Sequence, residues 1–243
     1  MQCTAPCLAA PAQRFSIYDA SEDNEYFDAS YIYVDIQLES VYDLQVYRGK
    51  GTIEELAKEA NALLAINCIF WHYEYIDKQI VFNGELVHNL ETPSIRDYCI
   101  ITKEGKMQIL LDEEVKTYAN FPDDVWQIWS FGPALVHNGE IIEEFYTPFS
   151  YTVARDKHPR TAIGYFSPNH FCFLIVAGRN DEDRGASLEE MAIFFKNMGC
   201  VEAYNLDGGG SSHIWYNGYE LGAPSDDRVL TEIIYINEKH LQN

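Results

Sequence analysis

Positive charge is scarce in this sequence. Its 17 Lys and Arg residues are outnumbered by 38 Asp and Glu residues, for a formal net charge of −21. A general nucleic-acid binder needs the opposite sign, because contacts to phosphate dominate its affinity, and an anionic membrane surface is disfavoured for the same reason. We therefore expect no nucleic-acid partner. A small anionic ligand would need a local basic pocket, and five of the eight arginines do fall in the last 90 residues: Arg155, Arg160, Arg179, Arg184 and Arg228.

Long apolar runs and closely spaced cysteine pairs are also absent from the sequence. No stretch reaches the ~20 apolar residues of a membrane span, so none is expected. Residues 1–13 have neither the charged start nor the apolar centre of a signal peptide, so the sequence alone leaves a cytoplasmic location open. The six cysteines include no CxxC pair and so lack zinc-ligand spacing. Cys99, Cys172 and Cys200 lie in apolar runs and are predicted to be core residues.

Size and composition are those of one globular domain. The chain has 243 residues, of which 47% are apolar and 23% are charged. A chain of this length can bury roughly 70–75% of the surface that its unfolded form exposes, so it needs neither a disulfide nor a metal to fold. We expect residues 1–25 to be loosely structured and residues 26–243 to form a single domain.

Local patterns predict a sheet-rich fold with few helices. Two capping boxes, Thr52-Ile-Glu-Glu55 and Ser187-Leu-Glu-Glu190, predict helices over about 53–62 and 187–198, each leading directly into an apolar strand. The expected fold is α+β, or mixed α/β: one domain with large mixed β-sheets, several hairpins and a few helices packed on them. Strands are predicted within 31–47 (two strands), at 171–178 and at 229–237, and Asn-Gly hairpin turns at 83–84, 138–139 and 217–218.

A glycine-rich segment, Asn205-Leu-Asp-Gly-Gly-Gly-Ser-Ser212, carries the strongest functional signal. It places Asp207 after an apolar strand and before three glycines, whose backbone can take positive φ and let a ligand approach bare N–H groups. Such amides beside the hydroxyls of Ser211 and Ser212 suit an oxyanion or a phosphate. The segment lacks the lysine of a P-loop, the helix of a dinucleotide fingerprint and the GxSxG of a nucleophile elbow. The alternative is a tight glycine turn between two strands.

Polar side chains also stand at the predicted ends of other strands. Asn67 ends one apolar strand, Arg179 follows another, and Arg160 begins a third. Arg228 precedes the last strand. Because sites in open sheets usually lie at strand ends, these groups can meet around the glycine-rich segment. Each arginine alone is more typical of a surface charge, but together they could supply the basic pocket that the acidic chain otherwise lacks.

These segments resemble the phosphodiester glycosidase family, over roughly residues 60–237. The family's NLDGGGS[ST] is Asn205–Ser212 here, its PRTAIG is Pro159–Gly164, and its DGR is Ala177-Gly-Arg179, with Ala in place of the usual Asp. The family's Asn-Gly-Gly-Phe-Phe is Asn67-Cys-Ile-Phe-Trp71, which lacks both glycines. The resemblance implies a hydrolase that cleaves between a sugar's anomeric carbon and a phosphate in a glycosyl phosphodiester. It also implies surface or exopolysaccharide metabolism, and it favours the cell envelope or the outside.

The resemblance and the residue chemistry together give candidate roles. Asp207 could act as a base, a nucleophile or a metal ligand, and Asn67, Arg160 and Arg179 complete the candidate catalytic set. No cofactor is expected; calcium is left open because of the acidic loop 180–184, although that loop lacks EF-hand spacing. The candidate substrate-binding residues are Asn205, Gly208, Gly209, Gly210, Ser211, Ser212, Arg228, Trp71 and His72. The second carboxylate is unassigned, with Asp181, Asp183, Glu202 and Asp227 as candidates.

Two other functions are compatible with the sequence. The altered segment 67–71 suggests a non-catalytic glycan-binding or envelope-assembly domain on the same scaffold. The acidic loop 180–184 suggests a metal-dependent phosphodiesterase. Hydrolysis of a sugar-1-phosphodiester by the purified protein would separate the first alternative from an enzyme, and a chelator would test the second.

Overall fold

The strands of the molecule form antiparallel sheets. The computed structural model describes residues 14–20, 25–69, 79–89, 96–115, 121, 123–145, 155–222, 224–226 and 228–237. Their strands belong to three sheets, and every described strand pairing is antiparallel. The expectation of mixed sheets is therefore wrong, and the fold is β-dominated, with helices as a minor part.

The strand order differs from the chain order in all three sheets. The first sheet has seven strands, in the order β1 (Arg14–Asp19), β2 (Tyr31–Gln37), β13 (His170–Val176), β12 (Arg160–Ser167), β14 (Glu202–Asn205), β10 (Ala134–His137) and β11 (Glu140–Ile141). The second has five: β16 (Tyr219–Leu221), β15 (Ile214–Tyr216), β4 (Ala62–Asn67), β17 (Leu230–Asn237) and β3 (Gln45–Gly51). The third has five: β6 (Glu85–His88), β5 (Ile80–Phe82), β9 (Val125–Trp129), β7 (Tyr98–Thr102) and β8 (Met107–Leu110).

Three α-helices accompany these sheets in the described part of the chain: α1 (Ile53–Glu59), α2 (Asp112–Val115) and α3 (Leu188–Met198). Both predicted capping boxes are confirmed. The hydroxyls of Thr52 and Ser187 each accept an N–H from the first helical turn, and a Glu carboxylate three residues later accepts the backbone N–H of the same Thr or Ser. α3 ends before Gly199, whose φ is +85°. None of the helices in the described ranges is both long and apolar enough to cross a membrane.

Helices α1 and α3 each cross between strands that run in the same direction, yet no parallel pair results. α3 leads from β13 towards β14, and β12 lies between these two strands, antiparallel to both. α1 leads from β3 to β4, and β17 lies between them in the same way. An inserted third strand therefore separates the two ends of each crossover. This insertion is why helix-to-strand patterns that indicated mixed sheets produce antiparallel ones.

The three sheets share one apolar core, and two helices cover outer faces. Val34, Leu64 and Ile101 bring side chains from the first, second and third sheets into this core. α3 packs Phe195 on the other face of the first sheet, and α1 packs Leu56 on the second. The helices therefore complete a layered fold whose interior belongs to the sheets.

The predicted hairpins are confirmed at all three Asn-Gly pairs. The turns at 83–84, 138–139 and 217–218 join β5 to β6, β10 to β11 and β15 to β16. Both residues of every pair have positive φ, which is the geometry that favours Asn-Gly in two-residue hairpins.

The N-terminal strand corrects one expectation, and the cysteines confirm another. Arg14–Asp19, expected to be loosely structured, pairs with β2 along its whole length. Alternation of Phe15 and Ile17 against the shared core explains why this segment is ordered. Cys99, Cys172 and Cys200 are buried and unbridged, as predicted.

Antiparallel register brings polar strand ends together where the first and second sheets meet. Arg160 begins β12 opposite Val176, which ends β13. Asn205, which ends β14, lies opposite Ala162, and Ala162 is two residues after Arg160 in β12. In the second sheet, Asn67 ends β4 beside the first half of β17. The glycine-rich segment leaves β14 at this junction.

Candidate active site

Asp207 lies at the junction, two residues beyond Asn205 at the end of β14. Its N–H donates to Cys68 O at 3.2 Å, and its carbonyl oxygen accepts from Asn67 Nδ2 at 2.6 Å. Its Oδ1 accepts the N–H of Gly208 at 2.9 Å. The second sheet therefore fixes the backbone of Asp207, while the following residue orients its carboxylate.

Asn67 is the residue that fixes Asp207 to the second sheet. The side chain is 1% exposed. Its Oδ1 accepts from Thr161 Oγ1 at 2.8 Å and from His213 N–H at 3.3 Å, while Nδ2 is taken by the carbonyl of Asp207. Both ends of the amide are occupied by protein groups. In this geometry the Asn67 side chain holds the backbone of Asp207, and the direct catalytic role expected for Asn67 stays a prediction.

Most amides of the glycine-rich segment are used inside the protein. The residues Gly209–Ser211 form a single 3₁₀ turn. Four of the five N–H groups from Gly208 to Ser212 donate to protein oxygens, and the acceptors are Asp207 Oδ1, Pro159 O, Gly208 O and Gly209 O. Only Gly210 N–H has no partner among the described residues. The expected nest of bare amides is thus wrong for four groups, because the tight turn consumes them.

Two of the three glycines instead make room for charged side chains. Gly209 has a φ of +64°, which favours glycine. A Cβ would lie 2.9 Å from Arg179 Nη2 at position 209 and 2.1 Å from Asp226 Oδ2 at position 210. At position 208 it would lie 2.8 Å from the carbonyl oxygen of Pro159 and 3.8 Å from Arg160 Cδ. Consecutive residues after Asp207 therefore pack against two arginines and a carboxylate.

Arg160 is buried and held by backbone carbonyls. It is 6% exposed. Its Nε donates to Ala186 O and its Nη2 to Asp156 O, both at 3.1 Å. Burial, and after it the nearby Arg179 charge, lower the pKa of the Arg160 guanidinium to about 10, so it is still charged at neutral pH. Arg160 therefore supplies a fixed positive charge behind the glycine turn.

Arg179 differs from Arg160 because its side chain is exposed. A φ of +66° turns the chain after β13 and brings the guanidinium against Gly209. Within the described ranges, no carboxylate forms an ion pair with Arg179. Its planar fork can therefore take two oxygens of a phosphate. Of the two arginines at the turn, Arg179 is the one placed to contact a ligand.

His158 adds a neutral side chain beside the arginines. Its backbone pairs with Ala186 through an isolated bridge. Burial first, and then the charges of Arg160 and Arg179, lower the pKa of the His158 imidazole. The ring is therefore uncharged at neutral pH and does not add to the positive charge of the turn.

The serines of the turn have different partners. Ser211 Oγ accepts from Arg228 Nη1 at 3.4 Å, and Arg228 Nη2 lies 3.9 Å from Asp226 Oδ2. Ser212 Oγ is buried and has no hydrogen-bond partner among the described residues. Arg228 therefore holds Ser211 by a hydrogen bond, whereas the hydroxyl oxygen of Ser212 has no partner among the described residues.

Asn205 connects the start of the glycine-rich segment to the neighbouring Gly132-Pro133 segment by hydrogen bonds. It is 3% exposed, and its Nδ2 donates to Gly132 O at 2.8 Å. Its backbone N–H donates to Pro133 O at 3.1 Å. The side chain of Asn205, a predicted substrate-binding residue, thus holds the neighbouring Gly132-Pro133 segment through its nitrogen, while its Oδ1 has no hydrogen-bond partner among the described residues.

A comparison with protein families decides what kind of protein carries this site. The model of the family described as "Phosphodiester glycosidase" matches residues 60–236, which is most of the chain. The chain belongs to the phosphodiester glycosidase family. The range agrees with the extent of the sequence resemblance, 60–237.

Similar proteins come from bacteria and vertebrates. The chain is 27% identical to the SPbeta prophage-derived uncharacterized protein YomE of Bacillus subtilis, over 77% of this chain and 30% of that protein. It is 27% identical to human N-acetylglucosamine-1-phosphodiester alpha-N-acetylglucosaminidase, over 80% of this chain and 41% of that enzyme. The chain thus spans well under half the length of these curated relatives.

A solved structure shares the fold of this phosphodiester glycosidase family member. It is the catalytic domain of zebrafish N-acetylglucosamine-1-phosphodiester alpha-N-acetylglucosaminidase, auto-inhibited by its pro-peptide. The TM-score is 0.73 at 21% identity, covering 98% of this chain and 87% of that one. At this identity the likeness concerns the fold.

Two departures from the family pattern change the walls of the site. Cys68 and Ile69, which stand in place of two glycines, are 1% and 2% exposed and join the shared core. Cys68 is thus a buried core residue that also lines a small cavity beside Asp207. Ala177, which stands in place of the family's usual Asp, lines a separate cavity of about 150 Å³ together with Ser212.

The three candidates for a second carboxylate that the structure describes do not gather at Asp207. Asp183 is tied up, since its Oδ1 accepts Ser30 N–H at 2.5 Å and its Oδ2 accepts from Asn180. Glu202 starts β14, at the end opposite Asp207, and accepts from the His137 ring. Asp181 is exposed in its loop. Asp227 lies outside the described residues.

Sequence reasoning missed two residues of this region. Asp226 lies over Gly210, and the two consecutive acids before Arg228 were the available signal. His213 directly follows the motif and is 4% exposed; its Nε2 lies 2.9 Å from Gly210 O and its Nδ1 lies 2.5 Å from Glu220 Oε1. His213 therefore links Gly210 in the turn to Glu220 of β16.

Trp71 and His72, two candidate sugar contacts, lie outside the described residues. In the part of the chain that is described, no group of three or more His, Cys, Asp or Glu side chains is arranged to hold a metal ion. The acidic loop suggested for calcium uses its oxygens locally, since Asn180 Oδ1 accepts the N–H groups of Glu182 and Asp183.

Proposed function

We propose that this protein hydrolyses the bond between a sugar's anomeric carbon and a phosphate in a glycosyl phosphodiester. One observation carries the proposal: the two glycines directly after Asp207 pack against Arg160 and Arg179. A carboxylate and two cations therefore meet on one short turn. Membership of the phosphodiester glycosidase family supports the same reaction class.

The two arginines act on the phosphate half of the substrate, and the carboxylate of Asp207 acts on the sugar half. Arg179 binds oxygens of the diester phosphate, and the fixed charge of Arg160 behind it stabilises the negative charge that grows on the leaving phosphate. Because phosphate is a good leaving group, the demand for a general acid is small. The carboxylate of Asp207 faces the anomeric carbon, where an oxocarbenium-like transition state gathers positive charge.

The biological setting is a further part of the proposal. We infer a substrate from surface or exopolysaccharide metabolism, met at the cell envelope or outside the cell. The family resemblance supports this setting. The name of the human relative makes an N-acetylglucosamine 1-phosphodiester the first substrate to test.

The test is hydrolysis of sugar-1-phosphodiesters that differ in the sugar and in the alcohol, with and without a chelator. We expect release of a phosphate monoester and a free sugar. Arg179→Lys keeps the charge but loses the bidentate fork, so it should raise KM about tenfold or more without lowering Tm. Arg184→Lys, an exposed arginine that pairs with Asp28, is the matched control and should behave like the wild type.

Each contrary result has a distinct meaning. Unchanged kinetics for a folded Arg179→Lys variant would remove Arg179 from the phosphate site. A wild-type protein that binds these glycans without cleaving them would favour a glycan-binding domain. Activity abolished by the chelator and restored by a divalent cation would favour a metal-dependent phosphodiesterase.

A further inference from the structure

Glu232 is a buried carboxylate that belongs to none of the sequence motifs described above. It lies in β17, within a run of apolar residues, and is 3% exposed. Its carbonyl oxygen accepts the N–H of Cys68 at 3.3 Å. The same residue, Cys68, accepts the N–H of Asp207 through its own carbonyl. Cys68, the residue directly after β4, therefore lies between Glu232 and Asp207.

A small cavity is shared by the two carboxylate residues. Both Asp207 and Glu232 line it, together with Asn67, Ser211 and Thr231. Its volume of about 10 Å³ is close to the space that one water molecule needs. The surrounding amide, hydroxyl and carboxylate groups are of the kind that hold a buried water. Of the other carboxylates considered so far, none that the structure describes lines this cavity.

The electrostatics of Cys68 agree with this arrangement. Burial raises the pKa of the Cys68 thiol, and the negative charges of Glu232 and then Asp207 raise it further. Both carboxylates are therefore close enough to act on one buried thiol.

We propose that Glu232 is the second carboxylate of the reaction and activates the hydrolytic water held in this cavity. The inference rests on the proposed glycosyl phosphodiester hydrolysis, and it assigns Asp207 the role of nucleophile. Glycosidases that pair a nucleophile with a base need both carboxylates close to one anomeric carbon.

The steps balance as two displacements. In the first, an oxygen of Asp207 bonds to the anomeric carbon, the bond from that carbon to the phosphate oxygen breaks, and its electron pair leaves with the phosphate monoester. In the second, Glu232 takes a proton from the water, and the water oxygen bonds to the anomeric carbon. The bond to Asp207 breaks and its electron pair returns to the carboxylate.

This division of labour gives Glu232→Gln a specific signature. The first step needs no proton donor, so the variant should release about one equivalent of phosphate monoester in a burst. Steady-state turnover should then fall on the order of 10²-fold or more. The intact protein should gain the mass of one sugar residue, located on the peptide that contains Asp207. Azide, a nucleophile that needs no base, should restore turnover and give a glycosyl azide.

Matched variants separate this role from a structural one. Glu202→Gln removes another buried carboxylate, at the far end of β14, and should turn over like the wild type without a burst or an adduct. If Glu232→Gln does not fold, Glu232→Asp keeps the charge but shortens its reach, and should lower turnover at least tenfold while the adduct accumulates.

Four results would overturn the assignment while the wild type is active. They are full turnover by Glu232→Gln, slow turnover without a burst, slow turnover that azide does not restore, and wild-type turnover by Glu232→Asp. A wild type inactive on every glycosyl phosphodiester would instead refute the proposed function itself.

Discussion

Side chains with the same chemistry take different roles at this site, according to how far their polar atoms are already engaged. Arg160 is buried and bound to carbonyls, whereas Arg179 is exposed and lies against Gly209. Asn67 has both ends of its amide occupied, whereas Asp207 is anchored to the second sheet through its backbone and accepts the N–H of Gly208 with its carboxylate. Residue type alone therefore assigns too many catalytic groups.

The carboxylate of Asp207 can be tested by an almost isosteric change. In Asp207→Asn the new side-chain oxygen can still accept the N–H of Gly208, so folding and Tm should be preserved. An amide cannot serve as nucleophile, so turnover on a glycosyl phosphodiester should fall on the order of 10²-fold or more. Steady-state kinetics beside a thermal melt check both parts. A folded variant that keeps most of its activity would remove Asp207 from the catalytic residues.

His158 gives the molecule a predictable pH dependence. The pKa of the His158 imidazole is lowered in the folded protein. As the pH falls through about 6.5, the imidazole therefore binds a proton in the unfolded chain before it does so in the folded chain. The His158 contribution to the free energy of unfolding is therefore fully present above about pH 6.5 and is lost as the pH falls below it. Urea unfolding of the wild type and His158→Gln between pH 5 and 8 should show the wild type losing its relative advantage towards pH 5. A difference that is constant with pH would contradict the assignment.

Among the elements, the 3₁₀ turn at Gly209–Ser211 combines backbone strain with close contact. Local sequence predicts the glycine requirement but not its cause, because the contacting side chains come from β13, from β12 and from the segment before β17. The crossovers through α1 and α3 show the same limit of local sequence patterns. Capping boxes and apolar runs correctly predict α1, α3 and the strands that follow them. The insertion of β12 and β17 depends on pairing between distant segments, which local patterns do not encode.

Replacing a glycine in this turn should damage the site beyond its cost in stability. In Gly209→Ala the new methyl group meets the Arg179 guanidinium at about 2.9 Å and also adopts a positive φ. Gly218→Ala is the matched control, since its φ is +93° with nothing within 4 Å of the new Cβ. Both variants should lose about 1–2 kcal/mol of unfolding free energy. Only Gly209→Ala should also raise KM, and equal KM values would show that the contact has no functional weight.

For the whole molecule, the site depends on how the first two sheets are joined. Asn67 from the second sheet binds Asp207 and Thr161 of the first, so the junction is a hydrogen-bonded connection as well as an apolar one. The sequence located the pieces of the site at strand ends. It did not show that antiparallel register, rather than the common edge of a parallel sheet, brings them together. Glu232 escaped notice because one acid in an apolar strand resembles a solvent-facing position.

Removing this connection should affect stability and catalysis together. Asn67→Ala deletes the side-chain hydrogen bonds to Asp207, Thr161 and His213, for an expected loss of about 3 kcal/mol of unfolding free energy. Turnover should also fall, because Asp207 is no longer held. Gln127→Ala, which deletes a fully buried amide in the third sheet, is the control and should lose stability alone. Retained turnover in a destabilised Asn67→Ala would show that Asp207 is positioned by other contacts.

The N–H of Asp207 donates across the junction to Cys68 O. This hydrogen bond couples the opening of the reactive turn to the global unfolding of the protein. We expect the hydrogen of this amide to exchange with solvent when the first sheet separates from the second, a separation that would also open the apolar interior. Deuterium should therefore enter this amide at nearly the rate of global unfolding, while hairpin tips such as 217–218 exchange early. A protease or a denaturant would then find no partly opened state in which the turn alone has come loose.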